Sequence, residues 1–347
     1  MTRPHALLRV GITYEKTLGM RRLTNTPIDL AIGKDGDLHI LSRSDELTFI
    51  RRLSFEDDDL GAVNLVGGGG QVGGTSKTDG HFVWPAALLM DGDENLWLSD
   101  EGTCQISNIT VEGKVICQWG DQGSADGQMN RPSGIAFDSN GDIFVADTLN
   151  HRIQKFKTDG TFLMNFGSYG SEKGEFNMPW GIAIDELDDI YVADWRNDRV
   201  QKFSADGEFL FHIGTSGCED GEFNRPSGIE IDKDGDIYVA DWANHRIQLF
   251  GPDGHFVEKF IGDATLSKQA KNYMESNVMA LRMREMTSIE LQKRLRWPVS
   301  VRTDMDGRIY MADYGSMRIQ VYQKEAYPLG PNEIADAPRS NSLFTQF

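Results

Sequence analysis

The chain has 347 residues, a formal net charge of −18 and 39% hydrophobic residues, enough apolar material for a packed core. Phosphate binding draws its affinity from lysine and arginine, so a chain this acidic is not expected to bind nucleic acid or an anionic membrane. No apolar run reaches the ~18 residues that a membrane helix needs, and the N-terminus has no apolar signal segment. Cys104, Cys117 and Cys218 form no CxxC pair, so we expect a cytoplasmic protein with reduced thiols.

Six copies of one pattern follow one another along the chain. The three strongest copies align without a gap, and their entry prolines, Pro132, Pro179 and Pro226, are 47 residues apart. Three weaker copies begin near Pro27, Pro85 and Pro298. The predicted boundaries of the six copies are near residues 26–67, 84–120, 131–167, 178–214, 225–262 and 297–325.

Each copy holds four short runs of alternating apolar and polar residues, separated by turns rich in Gly, Asp and Asn. This pattern is typical of a four-stranded antiparallel sheet. One such sheet cannot bury both of its faces, whereas six sheets arranged radially bury each face against a neighbour. The sequence therefore predicts an all-β fold, a six-bladed β-propeller spanning residues 1–347 as a single domain.

The sixth copy ends near residue 325 without an outer strand. The N-terminal segment 9–19, RVGITYEKTLG, has the alternation of the missing strand. We expect this segment to pair with the last blade and close the ring, because that pairing removes two exposed sheet edges. Residues 328–347 are expected to form a C-terminal tail.

The segment 264–297 interrupts the pattern before the last copy. It contains no Gly or Pro and is rich in helix formers, which predicts two or three short helices. It carries seven Lys and Arg residues against three Glu, a basic patch on an acidic chain. This helical insertion is predicted to be a lid over the channel mouth, an arm that docks a partner, or a packed decoration.

The triplets Asn150-His151-Arg152 and Asn244-His245-Arg246 stand at the same point in two of the strong copies. Together with the repeat pattern, they resemble the Asn-His-Leu motif that gives the NHL family its name. The resemblance covers nearly the whole chain and implies the six-bladed propeller. It does not assign an activity, because one fold hosts many functions.

Several recurring charged residues are best explained by structure. In four of the copies an Asp at the end of the second strand precedes an Arg by five residues, as in Asp147 and Arg152, and we expect the pair to hold the loop between them. Glu230 and Arg302 stand where other copies have alanine, and we expect them to pair between blades. The acidic turns lack the twelve-residue spacing of a calcium loop, so we interpret them as hairpins capped by Asp.

Aromatic and basic residues fall in the loops of one propeller face. This face contains the loops that enter the innermost strands and those between second and third strands. An exposed aromatic cluster usually marks a binding surface, although a Trp after Asp could instead pack on the neighbouring blade. Trp84 and Trp297 also precede entry prolines on this face. The predicted ligand-binding residues are Trp180, Trp195, Trp242, Tyr314, Arg131, Arg196 and Arg225.

Arg43, Asp29 and Glu101 are the candidates for catalysis at the channel mouth. Asp29 replaces the glycine of the strong copies, and such breaks in a pattern often lie at functional sites. Some NHL propellers are peptide-amidating lyases, and Arg43 matches an arginine of their first blade. The positions of their zinc-binding histidines are occupied here by other residues, so we expect no metal and no cofactor. Those positions are Ile28, Ala86, Ser133, Trp180, Ser227 and Val299.

Two functions remain open from the sequence. The first is a binding module that holds a small molecule, peptide or protein partner on the aromatic loop face. The alternative is a metal-independent lyase or hydrolase that acts in the mouth of the channel beneath the insertion. The oligomeric state and the ligand are not specified by any feature of the sequence.

Overall fold

The computed structural model describes residues 8–328 except 21–22, 45–47, 66–81, 278, 280–281 and 283–287. In this part of the chain, the dominant structure is a set of six four-stranded antiparallel sheets. In blades 1 to 5 the strands lie in chain order from the innermost to the outermost. The predicted six-bladed all-β fold is therefore confirmed. Of the predicted C-terminal tail, only Pro328 is described, and 329–347 lie outside the described residues.

The strands are numbered in chain order, beginning with β1, Leu8–Leu18. Blade 1 contains β2 to β5, which are Pro27–Ile32, Leu38–Arg43, Thr48–Leu53 and Asp59–Asn64. Blade 2 contains β6 to β9, which are Pro85–Met90, Leu96–Asp100, Gln105–Ile109 and Val115–Trp119. A small parallel bridge follows, formed by β10, Asp121–Gln122, and β11, Gln128–Met129. Blade 3 contains β12 to β15, which are Pro132–Phe137, Ile143–Asp147, Arg152–Phe156 and Phe162–Phe166.

The second half of the ring repeats this arrangement. Blade 4 contains β16 to β19, which are Pro179–Ile184, Ile190–Asp194, Arg199–Phe203 and Phe209–Ile213. Blade 5 contains β20 to β23, which are Pro226–Ile231, Ile237–Asp241, Arg246–Phe250 and Phe256–Phe260. Blade 6 contains β24 to β26, which are Pro298–Thr303, Arg308–Asp313 and Arg318–Pro328.

The ring closes through the first and last strands of the chain. β1 pairs antiparallel with β26, with Leu8 opposite Pro328 and Leu18 opposite Ile319, and so supplies the outer strand of blade 6. Each innermost strand contacts the next around the ring, and β24 contacts β2. This arrangement confirms the predicted closing strand.

The hydrophobic core lies between the blades. The second strand of a blade is covered on both faces, and every residue of β17 is buried. In the layer between blades 3 and 4, Phe144 and Ala146 pack in one cluster with Ile182 and Val192. Since each sheet buries its faces against its neighbours, the blades stabilise one another by removing apolar surface from water.

Two ends of the ring carry different connections. We call loop face the end with the residues before the entry prolines and with the 3-10 turns Thr148–Asn150, Trp242–Asn244 and Tyr314–Ser316. The hairpin face is the opposite end, where turns such as 185–189 join first and second strands.

The Asp and Arg pairs hold the connections on the loop face. Arg152 Nε lies 2.8 Å from Asp147 Oδ2, and equivalent contacts of 2.7 to 2.9 Å recur in blades 4, 5 and 6. Asp147 Oδ1 also accepts a bond from Asn130 N. The predicted structural role of these pairs is confirmed.

The described residues of the insertion include two short helices, α1, Lys268–Ser276, and α2, Ile289–Lys293, in keeping with the two or three that were predicted. The backbone N–H of Gln269 donates to Asp57 Oδ2 in the outer hairpin of blade 1, at 2.9 Å. Thr265 N donates to the hydroxyl of Tyr14 in β1. The first helix therefore lies against the outer side of blades 6 and 1.

Candidate functional site

The residues that precede the entry prolines project from the loop face in an uncommon backbone conformation. Arg131, Met178, Arg225 and Trp297 have φ values of 56°, 58°, 57° and 52°. A non-glycine residue in the left-handed region persists only when its surroundings hold it there. The surroundings include His151 Nδ1, which accepts a bond from Met178 N at 3.0 Å. The fold thus orients a ring of large side chains around the channel mouth.

Blades 4 and 5 hold a cluster of two tryptophans and two arginines. The rings of Trp180 and Trp195 are 6.2 Å apart. The guanidinium groups of Arg196 and Arg225 lie 5.5 and 5.1 Å from the Trp195 ring centroid. Both tryptophans are half-buried, and both arginines are exposed. The structure brings together four of the seven predicted binding residues in this cluster.

Blades 5 and 6 hold a second aromatic pair. Trp242 and Trp297 are stacked with their rings 6.5 Å apart, and Trp297 is 36% exposed. His245 packs edge-on against Trp297, and its Nδ1 accepts a bond from Trp297 N at 3.0 Å. In both pairs the tryptophans pack against a neighbouring loop and remain partly exposed to solvent. They can therefore stabilise the loops and still be available to a ligand.

Blades 1, 2 and 3 meet at a buried carboxylate. Glu101 is 3% exposed, and its two oxygens accept bonds from Arg43 Nη1 at 3.2 Å and from Arg131 Nε at 3.0 Å. Arg43 also lies 4.6 Å from the ring centroid of Trp84. Burial lowers the pKa of Arg43, and Glu101 opposes that effect. The cluster is therefore an ion network of two arginines and one carboxylate, in which Arg131 is the exposed member.

Asp29 belongs to a different network, in the wall of the channel. Its Oδ2 accepts bonds from Arg302 Nη2 at 2.6 Å and from Leu88 N at 2.9 Å, while Oδ1 accepts Leu30 N at 2.9 Å. Arg302 Nη1 also lies 3.2 Å from Glu230 Oε2, which confirms the predicted pairing of these two residues. The three catalytic candidates are therefore divided between two networks.

Tyr314 lies beside the core shared by blades 1 and 2. It is half-buried and packs against the cluster that contains Ile28 and Leu41. Its electrostatic interaction with Arg43 is among the influences that raise the pKa of that arginine, which places Tyr314 near the guanidinium group. The seventh binding candidate thus belongs to the side of the mouth formed by blades 1 and 6.

The channel beneath the loop face is narrow. Its volume is about 30 Å³, and Trp180, Asp29 and Arg302 are among its lining residues. A cavity of this size holds about one water molecule, so a ligand of the loop face has to lie across the mouth. The described residues of the insertion line neither this channel nor the cavity at the other end.

A larger cavity opens on the hairpin face, where no sequence feature had indicated a site. It has a volume of about 750 Å³ and is lined by hairpins of blades 1, 4, 5 and 6, together with Phe55. Its residues lie in turns that the repeat pattern explains fully as hairpins. Their approach to one another depends on ring closure, so the sequence alone carries no signal for it.

Two absences hold for the described part of the chain. No group of three or more His, Cys, Asp or Glu residues is arranged there to hold a metal ion. None of the helices described is both long enough and apolar enough to cross a membrane.

Solved structures with similar folds include several from bacteria. A catalytically inactive virginiamycin B lyase from Staphylococcus aureus with quinupristin is 14% identical, with a TM-score of 0.55, covering 94% of this chain and 90% of the lyase. A gluconolactonase from Xanthomonas campestris is 12% identical, with a TM-score of 0.57, covering 92% and 90%. A Bacteroides thetaiotaomicron protein of unknown function is 15% identical, with a TM-score of 0.62, covering 91% and 77%. At these identities the likeness concerns the fold alone.

The sequence comparison identifies the repeat itself. No curated protein sequence matches the chain. The NHL repeat family matches residues 129–156, 176–203 and 223–250. These segments begin just before the entry prolines of blades 3, 4 and 5 and end with their third strands. The chain therefore carries NHL repeats in blades 3, 4 and 5, and it folds as a six-bladed β-propeller.

Proposed function

We propose that the loop face binds an extended acidic segment of a partner protein without transforming it. The observation that carries this proposal is the cluster in which Arg196 and Arg225 both approach the Trp195 ring, with Trp180 alongside. Tryptophan and arginine dominate the binding energy of most protein interfaces. A half-buried ring flanked by exposed guanidinium groups offers an apolar contact and charge-assisted hydrogen bonds at one place.

The shape of the mouth favours a chain over a small molecule. A small-molecule site usually buries most of its ligand in a cavity of several hundred Å³, whereas the channel here has about 30 Å³. The second pair, Trp242 and Trp297, continues the aromatic surface onto the next blades. A segment of several residues can contact both pairs at once.

The charge of the face supports an acidic partner. Arg131, Arg196, Arg225 and Arg296 are exposed on it, although the chain as a whole carries −18. A positive patch facing a negative segment speeds association and suppresses wrong partners.

A lyase or hydrolase acting at the mouth is the alternative, and it has less support. Arg43 and Glu101 are ion-paired with each other, and Asp29 is engaged by Arg302 and two backbone amides. A general base has to reach the proton that it abstracts. Each candidate carboxylate would first have to leave its partners.

Fluorescence anisotropy with labelled probes tests the proposal. The probes are a peptide rich in Asp, Glu and Pro, its counterpart with Lys in place of the acids, and a single-stranded oligonucleotide. We expect the acidic peptide to bind and the basic peptide not to bind. Equal binding of both peptides, no binding of the acidic peptide at millimolar concentration, or preferential binding of the oligonucleotide would each overturn it.

A further inference from the structure

A cluster of three charged side chains joins the wall of the channel to the wall of the hairpin-face cavity. Arg302 and Asp29 line the channel, whereas Glu230 lines the hairpin-face cavity. Arg302 joins the two, because its Nη2 lies 2.6 Å from Asp29 and its Nη1 lies 3.2 Å from Glu230.

The charges of these three side chains do not balance. Among the described residues, Arg302 is the only cation that forms an ion pair with Asp29 or Glu230. It faces two carboxylates, and the shorter contact goes to Asp29. Glu230 is left with the longer contact to Arg302 and two bonds of 3.3 Å from the backbone N–H and hydroxyl of Thr303. Burial raises the pKa of the Glu230 carboxyl, although Arg302 opposes that rise.

The rest of the cavity has walls suited to a small organic molecule. Its volume of about 750 Å³ lies in the range of known ligand pockets. Ile32, Ile184 and Ile231 supply apolar wall between the hairpins. Met305 stands at the entrance and is 76% exposed.

The lining of the cavity is acidic on balance. Its basic residues are Lys34, Lys233 and Arg308. Arg308 pairs with Glu15 and Asp304, whereas Lys34 Nζ donates to Gly92 O and Lys233 Nζ donates to Met305 O, each at 2.6 Å. Seven carboxylates line the same cavity, from Asp35, Asp185, Glu186, Glu230, Asp232, Asp304 and Asp306. Among them, Asp35 and Glu186 are exposed. No ion pair to either of these two is described in the structured part of the chain.

We propose that the hairpin-face cavity is a second ligand site, independent of the loop face, for a small organic cation with an apolar body. The ammonium or guanidinium group of the ligand pairs with Glu230 and completes the charge balance at the floor. The apolar part lies against the isoleucine walls, and Asp35 and Glu186 attract the cation to the entrance.

Ligand-observed NMR and calorimetry with matched probes test this site. The probes are 2-phenylethylamine, benzamidine and 1,5-diaminopentane, with 2-phenylethanol and benzamide as neutral counterparts. We expect at least one cation to bind at millimolar concentration and the neutral compounds not to bind. Glu230→Gln should weaken the binding of that cation by about tenfold.

A double variant serves as a second test if Glu230→Gln fails to fold. Asp35→Lys combined with Glu186→Lys changes only exposed turn residues and should also weaken binding of the cation. The double variant Trp195→Ala, Trp242→Ala should leave binding of the cations unchanged, which separates this site from the loop face. Absence of binding for all three cations, equal binding of the neutral counterparts, or unaltered binding by the folded acidic-site variants would overturn the proposal.

Discussion

The ammonium of Lys324, in β26 of blade 6, lies 2.8 Å from the carboxylate of Asp236, in the first hairpin of blade 5. In blades 3 and 4 the equivalent hairpins are neutralised from within, by Lys155 and Lys202 on the third strand of the same blade. Blade 5 has Leu249 at that position. Blade 6 thus supplies the cation that blade 5 lacks, and the ion pair joins two blades.

Replacing Lys324 tests how far this contact supports the ring. The ammonium is nearly buried and also contacts Asp232 and Asp234. Lys324→Met should lower the free energy of unfolding by about 3 kcal/mol, because it leaves buried carboxylates without a partner. Denaturation in urea measures the change.

The neighbouring blades offer a rescue for that variant. Leu249→Lys, added to Lys324→Met, places a lysine where blades 3 and 4 have theirs, and part of the stability should return. If Lys324→Met unfolds at the same urea concentration as the original protein, the contact between the blades contributes nothing.

The buried carboxylate of Glu101 should contribute more to stability than its exposed partner Arg131. Glu101→Ala leaves Arg43 buried without its anion, and we expect a loss of about 3 kcal/mol. Arg131→Ala removes a half-exposed partner and should cost less than about 1 kcal/mol. Thermal and urea unfolding of the two variants give the comparison. Equal losses would contradict the distinction.

His151 should make the loop between blades 3 and 4 sensitive to acid. Burial lowers the pKa of His151, and the neutral ring accepts the bond from Met178 N. The imidazole of His151 is therefore protonated at a higher pH in the unfolded chain than in the folded chain. Its contribution to the free energy of unfolding is fully present above about pH 6.5, and it is lost as the pH falls through the lower pKa of the folded state.

Blade 4 shows which substitution of His151 is a suitable control. Asp198 occupies the same position in blade 4, and its carboxylate accepts the bond from Arg225 N at 2.7 Å. His151→Asp should keep the loop in place and reduce the loss of stability between about pH 7 and about pH 5. Urea unfolding at the two pH values checks this. An identical loss in both proteins would show that His151 does not titrate in this way.

The aromatic cluster should account for binding to the acidic peptide. Trp195→Ala removes the ring that Arg196 and Arg225 approach, and we expect affinity to fall more than about tenfold. Trp119→Phe is the matched control, since Trp119 packs at the outer edge of blade 2 and donates to Thr158 O. The same anisotropy assay measures both variants. A loss of similar size for the two would remove the loop face as the site.

The architecture could be predicted because it depends on patterns among residues that are close in the sequence. The spacing of Pro132, Pro179 and Pro226, the alternation within each copy and the missing outer strand of the sixth copy all concern neighbouring residues. The position of the aromatic residues on one face could also be predicted, because the fold determines which loops lie at the same end of the ring. The pairing of Glu230 with Arg302 was predictable because both break the same repeat position.

The role of Asp29 could not be derived in this way. Its position suggested a polar group at the mouth, but the carboxylate is engaged by Arg302, Leu88 and Leu30. These partners come from blades 6, 2 and 1, and their approach depends on the closed ring. The course of the insertion was equally hidden, since the contact of Gln269 with Asp57 joins residues more than 200 positions apart.

The sequence by itself determined the number of blades, their strands and the identity of the residues on each face. Those features follow from local propensity and from the alternation of apolar and polar side chains. Only the tertiary structure decided that Lys324 pairs with a hairpin of another blade, that Arg302 binds both Asp29 and Glu230, and that a large cavity lies opposite the aromatic face. The physical reason is that ion pairing and cavity shape depend on distances between distant segments, which no local pattern encodes until the first and last strands pair.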